Sequence, residues 1–343
     1  MSLNVCIFGV SGYTGSKLLY FIDKHKKVSL KGVFGYSTIG KKLGDIFQNL
    51  QNTSNVVIED YNDFNFDRID LIFSCLPHGK LQKDIINNLD PKIPIIDLSG
   101  DFRLESKNEY EEFYDSSHDS HDLQKKFFYG LTEVNRQRVK SAKFISNPGC
   151  YPTSILIPLI PLIKEKVFDI KDVIIDAKSG ISGAGKQPKI QNLFSEISGN
   201  FFSYGLNGHK HYPELKQEIN KVNKKIKFSF VPHVLPIISG IQSTIYIDRV
   251  RDEKDYSKVL EDYYYNEPFI KIYSKSKTPS INDVFNTNNL AMKIFSDFSK
   301  NKIVIISCID NLIKGASGQA VQNMNLMCGF AETEGLELKG SYF

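Results

Sequence analysis

A glycine-rich turn near the start of the chain constrains the fold more than any other feature. Gly9, Gly12 and Gly15 are spaced G-x-x-G-x-x-G, a variant of the dinucleotide-binding fingerprint. The apolar run Asn4–Phe8 predicts a buried strand before the turn, and Ser16–Lys24 carries a helical apolar pattern after it. Because strand, glycine turn and helix open a doubly wound sheet, we predict a Rossmann-type α/β domain here.

The strand pattern changes at Cys150. Earlier strand candidates are short, apolar and closely spaced, whereas later ones are more widely spaced and partly alternating. We therefore predict two domains, a dinucleotide-binding domain over 1–149 and an α+β domain with a mixed sheet over 150–315. The last segment, 316–343, begins with a helical pattern and is expected to pack back on the first domain. Glu105–Gln124 is polar and acidic and predicts a surface excursion.

Composition excludes several classes of protein. The 343 residues are 41% hydrophobic and 24% charged, as in ordinary globular proteins, and the net charge of +4 comes from scattered lysines. The longest apolar run, Ile155–Ile163, is interrupted by two prolines and is too short to span a bilayer. Neither nucleic acid nor membrane is therefore expected as a partner. Five widely spaced cysteines without C-x-x-C predict reduced thiols and a cytoplasmic location.

The end of the second strand candidate, Leu30–Tyr36, bears on the choice of dinucleotide. NAD-dependent enzymes usually place an acidic residue there, on the ribose hydroxyl. The segment Gly35–Lys42 contains no Asp or Glu, and it offers Ser37, Lys41 and Lys42 for a 2′-phosphate. The alternative is two solvated lysines on a loop. The sequence favours NADP.

Cys150 is the candidate nucleophile. It follows the strand candidate Lys143–Ser146 and precedes the apolar segment Ser154–Ile163, which predicts a helix N-terminus at the cysteine. The N–H groups and the dipole of a helix start stabilise a thiolate. Cys75 is the rival, although it closes a strand of the first domain and would face the cofactor more naturally. The other thiols lie in apolar patterns and are interpreted as core residues: Cys6, Cys308 and Cys328.

The segment Gly208–Glu214, GHKHYPE, places two histidines beside a carboxylate. His209 and His211 could bind a metal, but no further cluster supplies a clear third ligand, and we expect no metal. An acid/base role is the better interpretation, with Glu214 able to orient one imidazole. A surface turn with incidental histidines is the alternative.

Seven segments in order resemble the N-acetyl-gamma-glutamyl-phosphate reductase family, the arginine-pathway branch of the aspartate-semialdehyde dehydrogenase-like superfamily. The resemblance covers essentially the whole chain. The segments are GVSGYTG (Gly9–Gly15), LPHG (Leu76–Gly79), DLSGDFRL (Asp97–Leu104), SNPGCYPT (Ser146–Thr153), SGISGAGK (Ser179–Lys186), GHKHYPE (Gly208–Glu214) and KGASGQAVQNMN (Lys314–Asn325).

The resemblance implies a reaction and a set of site residues. The reaction is NADPH-dependent reduction of N-acetyl-L-glutamyl 5-phosphate to the 5-semialdehyde and phosphate through a cysteine thioester. The protein would be a homo-oligomer, dimer or tetramer, with 150–315 as its catalytic and dimerisation domain. The implied catalytic residues are Cys150, His209 and Glu214, and the implied substrate residues are Arg103, Asn147, Lys210 and His211. The implied cofactor residues are Gly9, Ser11, Gly12, Tyr13, Thr14, Gly15, Ser37, Cys75, Leu76, Pro77, Ser182, Gly183 and Asn311.

Three positions depart from the family pattern. Lys210 replaces an arginine and loses a bidentate clamp, which we interpret as drift in a chain that uses lysine over arginine. Thr132 stands where YGLPE has proline and is predicted only to loosen a loop. Cys75 replaces a small apolar residue and is predicted to be silent.

Two other functions stay open at this point. A carrier-linked aminoadipyl-phosphate reductase of lysine biosynthesis has nearly the same motifs, but it would favour a basic rim that the chain lacks. A non-catalytic NADP-binding sensor would have no reason to keep Cys150, His209 and Glu214 together.

Overall fold

The computed structural model describes residues 2–165, 171–248, 256–274, 276–297 and 301–336. They divide into two units: the described parts of Met1–Pro148 and Ala316–Glu337 form the first, and those of Gly149–Gly315 belong to the second. Residues 337–343 of the predicted C-terminal segment lie outside the described residues. Among the described residues, every helix is too short or too polar to cross a membrane.

The first unit is built on a seven-stranded sheet. Its strands are β1 (Leu3–Phe8), β2 (Val28–Phe34), β3 (Ile58–Glu59), β4 (Leu71–Ser74), β5 (Ile95–Asp97), β6 (Phe127–Tyr129) and β7 (Phe144–Ser146). They lie in the order β3-β2-β1-β4-β5-β7-β6, with every pair parallel. The last four residues of β1 are fully buried, as expected for a strand covered on both faces. Strand order reverses between β1 and β4, so the loops after these two strands flank the usual ligand crevice of such sheets.

Along the described chain, the helices between the strands of this sheet are α1 (Tyr13–Lys24), α2 (Leu43–Ile46), α3 (Lys107–Tyr114) and α4 (Thr132–Ser141). The stretch Glu105–Gln124, predicted as a surface excursion, contains α3 and is exposed or half-buried at most positions. Tyr110 and Tyr114 are buried and stack at 4.7 Å between ring centroids. The Tyr110 hydroxyl donates to Asp101 at 2.9 Å. Acidic neighbours hid this i, i+4 aromatic pair in the sequence.

The second unit contains a mixed seven-stranded sheet. The elements are α5 (Cys150–Lys164), β8 (Asp172–Gly180), α6 (Phe194–Ile197), β9 (Phe202–Ser203), α7 (Tyr212–Val222), β10 (Lys227–Leu235), β11 (Ile241–Asp248), α8 (Tyr256–Tyr263), β12 (Ile270–Ile272), β13 (Leu290–Ser296) and β14 (Lys302–Ile309). The strands lie in the order β12-β13-β14-β11-β8-β10-β9. Helices α5 and α8 pack against the sheet, and the Ser154 hydroxyl of α5 lies 2.7 Å from that of Ser243 in β11. Both predicted domain architectures are confirmed.

Near the end of its described course the chain returns to the first unit with helix α9 (Gly318–Met327). A π-type turn, Ile313–Ser317, precedes it, so the regular helix begins two residues later than the sequence pattern suggested. The helix packs against α1, α4 and β5, and its residues from Gly318 to Leu326 are buried, including their amide side chains. Buried amides need hydrogen-bond partners, and these partners lie in the first unit.

Candidate active site

Cys150 is the first residue of α5, directly after the Gly149 N-cap. The Thr153 N–H donates to the Gly149 carbonyl at 2.9 Å and closes the first turn of the helix. Pro152 is accommodated within this turn, where a missing N–H costs no helical hydrogen bond. The thiol therefore stands at the positive end of a helix dipole, which favours its thiolate form.

The other four thiols have an environment that disfavours ionisation. Burial raises the pKa of Cys6 and of Cys308 to about 12 and that of Cys328 to about 11. Burial also raises the pKa of Cys75, the rival nucleophile, and the Asp97 carboxylate adds to the effect. A thiol that stays protonated is a poor nucleophile.

Glu214 lies against the turn that leads into Cys150. Its side chain is fully buried in the first turn of α7, and its Oε1 accepts a hydrogen bond from the Gly149 N–H at 2.8 Å. A Cβ on Gly149 would lie 2.5 Å from His211 Nε2 and 2.9 Å from Glu214 Oε2. Only glycine fits at this position, because two side chains of the GHKHYPE motif pack against its backbone.

His209 is buried, and its protonation state follows from one contact. Its Nδ1 accepts the backbone N–H of His211 at 3.1 Å, so the proton of the neutral ring is on Nε2. Burial, helped by the charge of Lys210, lowers the pKa of His209 to about 3. At neutral pH this imidazole is therefore uncharged and presents an N–H donor at Nε2.

The Glu214 side chain contacts the Gly149 backbone, a partner that the sequence did not suggest.

Aromatic rings surround His209. The rings of Tyr151, Tyr204 and Phe230 lie 5.6, 5.3 and 5.5 Å from it between centroids. Burial and the nearby charge of Cys150 raise the pKa of Tyr204, to about 12. Sequence reasoning missed Tyr204, whose irregular segment offers no periodic signal; its closeness in sequence to GHKHYPE is the only hint.

Arg103 and Asn147, predicted to bind substrate, lie in the first unit and contact each other. The Arg103 Nε donates to the Asn147 carbonyl at 2.8 Å, and its Nη2 donates to the Leu98 carbonyl at 3.0 Å. The Asn147 N–H donates to the Asp97 carbonyl at 2.7 Å. Both residues are buried and hold the segment after β7. Lys210 is exposed in the second unit, and His211 is buried there.

Packing requires glycine at two of the three glycine positions of the first turn. Gly9 has a φ of +79°, and a Cβ there would lie 2.7 Å from the Cys75 carbonyl oxygen in the loop after β4. A Cβ on Gly15 would lie 2.3 Å from the Gly9 carbonyl oxygen. Packing excludes a side chain at both positions. Gly12, the N-cap of α1, has only one neighbouring atom within 4 Å of a Cβ, at 3.9 Å, so packing does not require glycine there.

This pattern fits a dinucleotide. Gly12 leaves the start of α1 open to the close approach of a pyrophosphate, and α1 directs its first N–H groups to the same place. Ser37 follows β2, and Ser37, Lys41 and Lys42 are exposed, as a 2′-phosphate site requires. Ser11, Tyr13 and Thr14 belong to the same turn, and Leu76 and Pro77 to the loop after β4.

The remaining predicted cofactor residues lie in the second unit. Asn311 Nδ2 donates to the Ser182 hydroxyl at 3.0 Å, and Asn311 Oδ1 accepts the Gly240 N–H at 2.6 Å. Gly183 lies beside them, 3.9 Å from Asn311 Nδ2 at its ideal Cβ position. These contacts join three loops of that unit, and the cofactor role of the three residues stays a prediction.

Two family models match the chain. Residues 4–142 match the model described as the semialdehyde dehydrogenase NAD binding domain, and residues 150–311 match that described as the dimerisation domain. Aspartate semialdehyde dehydrogenase II from Vibrio cholerae, solved with ASA, has a TM-score of 0.74 at 18% identity, over 96% of this chain and 99% of that one. The Candida albicans enzyme with NADP has a TM-score of 0.67 at 16% identity, over 96% and 99%. At these identities the similarity establishes the fold.

Curated relatives are much closer in sequence. A probable chloroplastic N-acetyl-gamma-glutamyl-phosphate reductase from Arabidopsis thaliana is 41% identical over 97% of this chain and 84% of its own length. An N-acetyl-gamma-glutamyl-phosphate reductase from Moorella thermoacetica is 39% identical over 97% of this chain and 98% of its own. The resemblance in the motifs is thereby confirmed, and the chain belongs to the N-acetyl-gamma-glutamyl-phosphate reductase family of semialdehyde dehydrogenases.

Proposed function

We propose that this chain catalyses the NADPH-dependent reduction of N-acetyl-L-glutamyl 5-phosphate to N-acetyl-L-glutamate 5-semialdehyde and phosphate, a step of arginine biosynthesis. One observation carries the chemistry. Cys150 begins α5, and the GHKHYPE motif packs against the glycine immediately before it. The names of the relatives support the choice of substrate.

Cys150 acts as nucleophile in the proposed reaction. Its thiolate attacks the acyl carbon, a sulfur–carbon bond forms, and the bond from that carbon to the phosphate oxygen breaks. Phosphate leaves and the acyl group remains on Cys150 as a thioester. Backbone N–H groups at the start of α5 face developing negative charge, and each such donor is typically worth roughly 3–4 kcal/mol. Since Pro152 has no N–H, Cys150 and Tyr151 are the donors of this first turn.

NADPH, when bound, supplies the hydride that reduces the thioester. His209 then offers its Nε2–H to the oxygen that becomes negative, because its Nδ1 is engaged by the His211 N–H. Collapse of this tetrahedral species breaks the sulfur–carbon bond and releases the aldehyde and the Cys150 thiolate. The role we propose for His209 is thus a hydrogen-bond donor with a neutral ring, rather than an imidazolium acid.

We expect substitutions at Gly12 and Gly15 to have different effects, one on cofactor binding and the other on packing. Gly12→Ala should raise the Kd for NADPH by about tenfold or more, because the new methyl group occupies the pyrophosphate approach. It should lower the melting temperature by no more than about 3 °C. Gly15→Ala, the matched variant, should lower it by about 5–10 °C because the methyl group meets the Gly9 carbonyl. Fluorescence titration measures the Kd for NADPH, and calorimetry measures the melting temperature. Equal NADPH affinity of Gly12→Ala and the unsubstituted chain would contradict the cofactor assignment.

Phosphate-dependent oxidation of N-acetyl-L-glutamate 5-semialdehyde tests the function. Reduction of NADP and of NAD would be followed in parallel, with aspartate semialdehyde as the competing substrate. We expect turnover of the acetylated aldehyde that requires phosphate and prefers NADP. Turnover of aspartate semialdehyde alone would overturn the substrate. Cofactor binding without turnover of either aldehyde would favour the carrier-linked reductase or the sensor.

The second unit offers a surface for self-association. The residues that pair in register across β8, β11, β14 and β13 form an apolar row of Ile174, Tyr246, Val304 and Phe295. Ser243 of β11, which faces α5, has the opposite parity, so this row lies on the other face of the sheet. Ile174 is 47% exposed and Phe295 39% exposed. We propose that a second copy of the chain covers this row in a dimer or tetramer.

Tyr246→Glu should disrupt that assembly, because it places a charge in the middle of the apolar row. Sedimentation equilibrium at micromolar concentration should then give the mass of a single chain. Tyr265→Glu, at a side chain that is 84% exposed outside the row, serves as the control and should leave the oligomer intact. An unchanged oligomer in Tyr246→Glu would place the interface elsewhere.

A further inference from the structure

A directed chain of hydrogen bonds runs through the first unit. Gln319 Nε2 donates to the Thr132 hydroxyl at 2.7 Å, and that hydroxyl donates to Asn323 Oδ1 at 2.6 Å. Asn323 Nδ2 donates to Asn147 Oδ1 at 3.0 Å, and Asn147 Nδ2 donates to the Ala316 carbonyl at 3.1 Å. All four side chains are fully buried. This chain is called the amide relay below.

Thr132 sets the direction of the amide relay. An amide nitrogen can only donate, so the Gln319 contact leaves the single hydroxyl proton of Thr132 for Asn323 Oδ1. Together with the Gly130 carbonyl, which accepts from Asn323 Nδ2 at 2.9 Å, this bond fixes the Asn323 amide with its nitrogen toward Asn147. Hydrogen bonds arranged head to tail in a buried site reinforce one another. The prediction that Thr132 merely loosens a loop is wrong, since its hydroxyl makes two buried bonds.

Gly130 makes room for the relay. A Cβ at this glycine would lie 2.6 Å from Asn323 Nδ2, and its carbonyl accepts hydrogen bonds from both Gln319 and Asn323. Thr132 is the first residue of α4, so its side chain is presented at a fixed helix start. The segment before α4 and the polar face of α9 are therefore fitted to each other.

The relay ends on the two chain segments that lead to the candidate nucleophile. Asn147 lies three residues before Cys150 in the chain. Ala316 follows Gly315, and within the second unit a Cβ on Gly315 would lie 2.7 Å from the Cys150 Cβ. A change in the Asn323 amide is thus transmitted to residues bonded in sequence to those that define the position of the thiol.

We propose that Thr132 is a positioning residue for Cys150, acting through Asn323 and Asn147. The inference rests on the proposed role of Cys150 as nucleophile. Loss of the Thr132 hydroxyl leaves Asn323 Oδ1 buried without its donor, and the amide is then held only through its nitrogen, by the Gly130 carbonyl and Asn147. An amide held at one end only fixes the Asn147 side chain less firmly. The turn before α5 loses one of its anchors, and the thiol loses part of its alignment with the acyl carbon.

The test compares Thr132→Val, which removes the hydroxyl at nearly constant volume, with Thr132→Ser, which keeps it. In the full chain we expect Thr132→Val to lower kcat on the order of tenfold, with KM for NADPH within about twofold of the unsubstituted value. Iodoacetamide should alkylate Cys150 more slowly in Thr132→Val, with a shifted pH profile. Thr132→Ser should keep both kcat and the alkylation rate close to those of the unsubstituted chain. Thr132→Ala removes the same hydroxyl and replaces Thr132→Val if that variant does not fold.

Thr53→Val is the matched control for general destabilisation. Thr53 is a buried threonine of the same unit whose hydroxyl donates to Asp23 at 2.9 Å, away from the relay. Thr53→Val should lower the melting temperature without changing kcat or the alkylation rate of Cys150. Equal losses of kcat in the two Val variants, or unchanged alkylation in Thr132→Val, would overturn the proposal. Alkylation located at Cys150 by peptide mass spectrometry needs no substrate, so it tests Thr132 even if the proposed reaction fails.

Discussion

Cys150→Ser should lower the rate of semialdehyde oxidation by at least about a thousandfold while leaving NADPH binding nearly unchanged. A serine hydroxyl is almost entirely protonated at neutral pH, and the helix dipole at the start of α5 cannot compensate for the difference from a thiol. An ester on serine would also accept hydride less readily than a thioester. The rate is followed through NADPH absorbance and the binding through its fluorescence.

Cys328→Ser provides the matched control for Cys150→Ser. This thiol follows α9 in the first unit, and its raised pKa keeps it protonated. Its replacement should retain the full rate. Substantial activity in Cys150→Ser, together with loss of activity in Cys75→Ser, would transfer the nucleophile to Cys75.

His209→Leu should reduce kcat by about 10²–10⁴-fold, because the developing oxyanion loses a neighbouring donor. His209→Gln is the informative partner variant, since a glutamine Nε2–H can take the place of the imidazole Nε2–H. If His209 acts as a neutral donor, His209→Gln should recover a large part of the lost rate. Equal rates in the Gln and Leu variants would show that the ring must transfer a proton.

The same residue should affect stability at acid pH. The pKa of His209 is about 3 in the folded chain and near 6.5 when unfolded, so the unfolded state binds the extra proton as pH falls below 6.5. The stability that the neutral ring contributes is present above pH 6.5 and is lost on acidification. By pH 5 the resulting loss in free energy of unfolding is about 2 kcal/mol. Urea unfolding should show that this free energy falls less between pH 7.5 and pH 5 in His209→Leu than in the unsubstituted chain.

Local patterns predicted the parts of the molecule that local chemistry determines. The glycine turn after β1 and the helix start at Cys150 could be placed because strand, turn and helix signals are adjacent in sequence. The hydrogen bond between Glu214 and Gly149 could not be predicted in this way, because the two residues are 65 positions apart and only the tertiary fold brings them together. The expectation that Glu214 orients one imidazole stays a prediction.

Thr132 shows a second limit of sequence reasoning. A threonine at a helix start is an ordinary local choice, and nothing nearby indicates that its hydroxyl meets amides almost two hundred positions later. Tyr204 is similar, since it belongs to no periodic pattern and meets His209 through an irregular segment. The contacts of Thr132 are determined by packing between distant segments, and that of Tyr204 by an irregular loop; propensities describe neither.

The return of α9 to the first unit has a consequence for how such proteins can be recombined. A single cut after residue 148 would leave the Gly130 carbonyl and the Asn147 amide without the donors and acceptors that α9 and the turn before it supply. The dinucleotide unit is therefore not an uninterrupted stretch of gene that could be copied into another protein. A new catalytic unit can replace the old one only as an insertion between residues 148 and 316, with both flanks retained.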